Sequence, residues 1–205
     1  MKTYIIYLLF FIFYIIISNY IVSNQTFFIK IILYWMIFCI FIAMLEMVLF
    51  FSSKYIYHLP TNKKTDYWLR DITPNKIFHS NFWSQAWKEY GDNCDTRYIK
   101  NKNIVHWIEI IHALTSLIYI YIIYKFIAKK NINKNLVIGI LMVSISSVHI
   151  IGTLIYLSTF YKYFKNNPVK KTIKFWSYLS LNFLWVLMPI LILIKGGQII
   201  SVSNT

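Results

Sequence analysis

Two glutamates, Glu46 and Glu109, stand inside long apolar stretches, whereas the other five acidic residues lie in polar segments. Ionisable groups within a membrane-spanning stretch cost free energy, so they usually face the interior of a helix bundle or a cavity. A carboxyl group in such a place can both donate and accept a proton. This pair is therefore the first candidate for chemistry in the sequence, with a purely structural hydrogen-bonded pair as the alternative.

Four further side chains in the apolar stretches are candidates for chemistry, namely His112, His149, Asn182 and Trp185. Imidazoles transfer protons, and an indole face stabilises a cation within about 6 Å. The set predicts chemistry of protons and cations, such as moving a carbon–carbon double bond by protonating one end and deprotonating the other side. Binding of an amine or a lipid is also open. For His149, a hydrogen bond between helices is as open as a role in binding the ligand. For Trp185, simple packing is an alternative to contact with a cation.

The composition excludes a soluble fold, because 58% of the residues are apolar, 20% aromatic and only 14% charged. Lysine and arginine number 21 against seven acidic residues. These basic residues fall between the apolar runs, where they meet lipid headgroups, so we expect no nucleic-acid binding. Cys39 and Cys94 form neither a Cys-x-x-Cys pair nor part of a metal quartet, and no metal site is expected.

Five apolar runs reach the roughly 20 residues that a helix needs to cross about 30 Å of hydrocarbon. They predict an all-α integral membrane protein that forms one domain over residues 1–205. The predicted spans are about 4–22, 27–51, 104–128, 136–160 and 173–194. The long connection between the second and third spans is polar but rich in tryptophan, so we expect it to pack on the membrane surface, with a short helix at about 81–90.

The six polar or aromatic side chains fall at overlapping depths, about 7 to 18 Å from one face of the membrane, when helix rise is counted along each span. Spacings of three and four residues also place Glu109 and His112 on one helix face, and Asn182 and Trp185 on another. One cavity entered from one leaflet would explain this agreement. The predicted lining residues are Glu46, Glu109, His112, Asn182 and Trp185.

Short motifs surround these residues. Trp-Lys-Glu-Tyr-Gly at 87–91 and Asp-x-Arg-Tyr at 95–98 precede Glu109, and the last span carries Asn-x-x-Trp at 182–185. From about residue 36 to 195 the arrangement resembles the emopamil-binding protein family, the sterol Δ8-Δ7 isomerases and their paralogue, which share the EXPERA domain. The five spans and the long second loop follow the family order.

The resemblance implies an isomerase of the endoplasmic reticulum membrane that converts Δ8 to Δ7 sterols without a cofactor. The family positions that surround the sterol match Glu46, Glu109, Asn182 and Trp185. One position departs from the family, which has a histidine one turn before the second-helix glutamate where this chain has Ile42. We infer that His112 supplies an imidazole in its place, and this inference does not come from the family.

The expected partners are a sterol or another lipophilic small molecule, cationic amphiphilic amines as inhibitors, and the lipid bilayer, while a homodimer is left open. The missing histidine favours an alternative, a catalytically silent relative that binds sterols or cationic amphiphiles. An unrelated transporter is the third reading. It is disfavoured because the sequence shows no repeated halves and no pair of broken spans.

Overall fold

The computed structural model describes residues 1–59, 66–93, 95–100, 103–128, 135–165 and 173–204, so Cys94 lies outside the described residues. Over these ranges the chain is helical, as predicted, with one isolated β-bridge and no sheet. The α-helices are α1 (Thr3–Val22), α2 (Phe27–Phe51), α3 (Ser53–His58), α4 (Asp66–Leu69), α5 (Ser80–Asn93), α6 (Ile104–Leu117), α7 (Tyr119–Ile127), α8 (Leu136–Lys165) and α9 (Ile173–Ser203). Two short 3₁₀ helices cover Pro74–Phe78 and Thr96–Ile99.

Within the described residues, five helical segments are long and apolar enough to cross a membrane, in agreement with the five predicted spans. They are Thr3–Val22, Phe27–Phe51, Ile104–Ile127, Leu136–Thr159 and Asn182–Ser203. The last two helices extend beyond the apolar runs that predicted them, to Lys165 and Ser203. Helical hydrogen bonds close between backbone groups, so a helix continues past the lysine and glycines that interrupt an apolar run.

A turn at Ile118 divides the third span into α6 and α7. The Ile118 amide donates to the Thr115 carbonyl at 3.1 Å, a three-residue bond in place of the usual four-residue one. From Ile118 to Tyr124 every residue is β-branched or aromatic, and such side chains lose rotamer freedom in a helix. The sequence predicted a single run here because these same residues are apolar.

The chain forms two compact units. Unit 1 comprises Met1–Ser23 and Ile37–Ala113, and unit 2 comprises Asn24–Met36 and Leu114–Thr205. Each unit therefore combines two segments that are distant in sequence.

In unit 1, α1 packs against the connection between the second and third spans. The Tyr7 ring lies 5.3 Å from Trp68 and 5.6 Å from Trp83, centroid to centroid, and the Tyr7 and Tyr67 hydroxyls are 2.8 Å apart. Burial raises the pKa of Tyr67 to about 12. The aromatic residues of the polar connection thus form a small core with α1, and the helix predicted at 81–90 is present as α5.

In unit 2, α8 and α9 pack closely through glycine. A Cβ atom on Gly196 would lie 2.9 Å from the Cβ of Met142, and one on Gly139 would lie 3.0 Å from the Gly196 carbonyl oxygen. Small residues let helix backbones approach in a membrane, where packing drives helix association.

Candidate functional site

The carboxyl groups of Glu46 and Glu109 meet in unit 1. Glu46 comes from α2 and is 2% exposed. Glu109 comes from α6, and its carboxyl group lies close enough to that of Glu46 for the two to interact. Two ionised carboxylates repel each other in an apolar setting, so a pair of this kind can share one proton.

His112 lies against the same pair. Its Nδ1 is 2.7 Å from Oε2 of Glu46, and the side chain is buried. This distance suits a hydrogen bond to a carboxyl group whichever partner carries the proton. His112 shares the face of α6 with Glu109, but its contact is with the glutamate of α2. A line of contacts thus joins Glu109, Glu46 and His112.

Tyr98 extends the line at its other end, because its hydroxyl donates to Oε1 of Glu109. The phenol ring stacks on the Trp87 indole, with centroids 5.2 Å apart and planes 3° from parallel. The Trp87 Nε1 in turn donates to the Leu45 carbonyl, the residue before Glu46, at 2.8 Å. Both residues belong to the motifs that carry the resemblance, but sequence spacing gave neither of them a role.

The short 3₁₀ helix that presents Tyr98 is held at both ends. Asp95 accepts from the Arg97 amide at 3.0 Å and pairs with the Arg97 guanidinium at 2.6 Å, and both side chains are buried. Asn103 donates to the Arg97 carbonyl at 2.7 Å and accepts from the Val105 amide at 2.9 Å. Asn103 therefore ties the 3₁₀ helix to the start of α6, the helix that carries Glu109.

Glycine at position 91 lets this 3₁₀ helix lie against α5. A Cβ atom on Gly91 would fall 2.1 Å from Cγ2 of Ile99, closer than any packed pair of carbon atoms. The Trp-Lys-Glu-Tyr-Gly motif thus supplies both the indole that stacks on Tyr98 and the space that permits the stack.

The remaining predicted residues lie in unit 2. The His149 Nε2 is 2.8 Å from the Thr115 hydroxyl, and its Nδ1 is 3.4 Å from the Tyr119 hydroxyl. These two partners flank the turn at Ile118, so His149 bridges the broken third span. This contact matches the helix-to-helix alternative for His149, and it leaves the substrate-binding role as a prediction.

Trp185 and Asn182 lie one turn apart on α9 and are both partly buried. The Trp185 ring packs edge-on against Trp35, with centroids 5.0 Å apart, and its carbonyl accepts from the Thr153 hydroxyl at 3.4 Å. The structure thus groups Glu46, Glu109 and His112 in unit 1. The single cavity expected to include Asn182 and Trp185 stays a prediction.

The sequence profile of the EXPERA family, the expanded EBP superfamily, matches residues 82–196. The match begins in α5, later than the start of the resemblance at residue 36, so it includes Glu109 and His112 but not Glu46. Searches of curated proteins and of solved structures gave no significant match. Since the profile covers more than half of the chain, this membrane protein belongs to the EXPERA family.

Proposed function

We propose that the protein is a sterol Δ8-Δ7 isomerase of the endoplasmic reticulum membrane. The observation that carries the proposal is the line of contacts through Tyr98, Glu109, Glu46 and His112, of which Glu46 and His112 are buried. In this proposal the line supplies a protonated carboxyl group and a proton acceptor side by side in an apolar setting. Membership of the EXPERA family supports a sterol as the substrate.

The reaction needs one proton in and one proton out. A carboxyl of the Glu46 and Glu109 pair adds its proton to one carbon of the double bond, which leaves a carbocation on the other carbon. A base then removes a proton from the next carbon, and the double bond forms again one position along. The count of protons and electrons is unchanged, so the proposal includes no cofactor.

Each remaining residue has an assigned part in this proposal. His112 exchanges a proton with Glu46 and so resets the carboxyl pair between turnovers. We assign Trp185 to the carbocation, which an indole face stabilises, and Asn182 to polarising or orienting the site. His149 is proposed as a further substrate contact. Protonated lipophilic amines mimic the carbocation and are proposed as inhibitors.

Complementation of a sterol-isomerase-deficient strain tests the function, with Δ8 and Δ7 sterols measured in extracts. The parent chain should restore Δ7 sterols, whereas Glu109→Gln and Glu46→Gln should leave Δ8 sterols accumulated, because glutamine keeps the shape and removes the titratable proton. Asp71→Asn is the matched control, since Asp71 is an exposed carboxylate paired with Lys2. Full complementation by both glutamine variants would refute the proposed proton transfer.

A catalytically silent binder of sterols or cationic amphiphiles is the second candidate, and Ile42 favours it because the family imidazole is missing from that position. This reading predicts that the inserted parent chain binds a radiolabelled sterol or lipophilic amine but leaves Δ8 sterols accumulated. Restored Δ7 sterols would exclude it.

A further inference from the structure

We propose that Trp87 is the positioning residue of the carboxyl pair, a role that rests on the proposed function of that pair. The indole ring makes two contacts of different kinds, a hydrogen bond and a ring stack. The Nε1–H holds the α2 backbone at Leu45, and the ring face supports the phenol that binds Glu109. The Trp87 side chain thus contacts both the backbone next to Glu46 and the phenol that binds Glu109.

The hydrogen bond from Trp87 is made to a carbonyl inside a spanning helix. Carbonyl groups within a helix already accept from an amide four residues on, and indole is a donor only. The Trp87 N–H therefore adds a second bond at 2.8 Å to a carbonyl in the last two turns of α2. Because Leu45 immediately precedes Glu46, this bond limits rotation and axial sliding of the helix at the glutamate.

The face of the Trp87 ring supports the Tyr98 side chain that contacts Glu109. Tyr98 stacks flat on Trp87. The Tyr90 ring also contacts the Tyr98 ring, edge to face, with centroids 5.0 Å apart. The phenol is enclosed on two sides, so its hydroxyl has a fixed direction toward the Glu109 carboxyl. A carboxyl pair that must place a proton on one carbon gains from such fixed supports, since misplacement by about 1 Å can cost roughly 100-fold in rate.

The same helix contains a matched control. Trp83 lies one turn before Trp87 in α5, and its Nε1 donates to the Ile77 carbonyl at 2.9 Å. Trp83→Phe and Trp87→Phe each keep an aromatic ring and each remove one indole-to-carbonyl hydrogen bond. Only the hydrogen bond removed in Trp87→Phe is made to a residue next to a glutamate, since Leu45 precedes Glu46.

The experiment compares these two variants with the parent chain in lipid nanodiscs. The first readout is the infrared carbonyl stretch of the protonated carboxyl group, which Glu46→Gln and Glu109→Gln assign. The second is kcat and KM for isomerisation of a Δ8 sterol. Trp87→Phe should shift the infrared band and lower kcat about 10- to 100-fold with little change in KM, whereas Trp83→Phe should do neither.

The two readouts separate this inference from the proposed function. A shifted band in Trp87→Phe, with no turnover by the parent chain, supports the positioning role and refutes the isomerase. An unchanged band and unchanged kcat overturn the positioning role. Should Trp87→Phe fail to fold, benzothienylalanine at position 87 keeps the bicyclic shape and replaces the N–H by sulfur. A shifted infrared band in that variant supports the positioning role, and an unchanged band with unchanged kcat overturns it.

Discussion

His112 places its imidazole on the Glu46 carboxyl from a neighbouring helix. The resemblance expects an imidazole one turn before this glutamate on its own helix, where Ile42 stands instead. The 2.7 Å contact from His112 therefore delivers the same chemical group to the same carboxyl by another route. We propose that the change of helix keeps a proton partner for Glu46, because proton transfer depends on the distance between the ring nitrogen and the carboxyl oxygen.

We expect His112→Ala to reduce sterol turnover by at least about 100-fold and to leave sterol binding largely intact, since general acid and base groups typically contribute about 100- to 10,000-fold. Ile42→His in the His112→Ala background should restore part of the rate. The measurements are steady-state isomerisation and equilibrium sterol binding. Unchanged turnover in His112→Ala would make the imidazole a bystander.

Trp185→Leu tests the indole assigned to the carbocation. A protonated lipophilic amine should lose more affinity than a neutral sterol of similar size, because only the cation gains from the indole face, by about 0.5 to 2 kcal/mol. Competitive binding of the two ligands to both variants measures the difference. Equal losses would show that Trp185 serves only packing with Trp35.

At the scale of elements, the connection between the second and third spans is a structural part of the site. Helix α5 and the 3₁₀ helix Thr96–Ile99 place Trp87 and Tyr98 beside the glutamates. Their close approach depends on Gly91, because the Ile99 side chain occupies the volume that a Cβ atom would need.

Gly91→Ala should therefore destabilise the protein by about 1 to 3 kcal/mol through overpacking. Gly197→Ala is the control: Gly197 lies in α9 with nothing within 4 Å of an added Cβ atom, so alanine there should be neutral or stabilising. Thermal unfolding in one detergent compares the two variants. Ile99→Ala combined with Gly91→Ala should recover most of the loss, and equal stability of the single variants would contradict the packing argument.

The elements were predictable to different degrees. Long apolar runs specify spanning helices because backbone groups in lipid must be satisfied within the helix, and the second span was predicted with its observed ends. The turn at Ile118 was not, since weak propensities of β-branched residues do not say where a span breaks. Glu46 and Glu109 were identified because they are the acidic residues that lie within apolar stretches. Trp87 and Tyr98 were missed as site residues because contacts between a connection and two helices depend on tertiary packing.

At the scale of the whole molecule, five candidate spans and a net charge of +14 describe a protein adapted to a lipid bilayer. An odd number of spans puts the two termini on opposite sides of the membrane. Epitope tags at the two ends should therefore show opposite protease protection in sealed microsomes. Equal protection would mean that one of the five apolar helices does not cross.

The carboxyl pair and its described supports all lie in the Ile37–Ala113 segment of unit 1. Its members nevertheless emerge at different times, because 66 residues separate Glu46 from His112. At about 5 to 20 residues per second, Glu46 enters the translocon roughly 3 to 13 s before its partners exist. During that interval the second span carries a lone acidic side chain, which hydrocarbon disfavours. We therefore expect release of this helix into lipid to wait for synthesis of the third span, so that the contacts proposed for catalysis also influence the order of biogenesis.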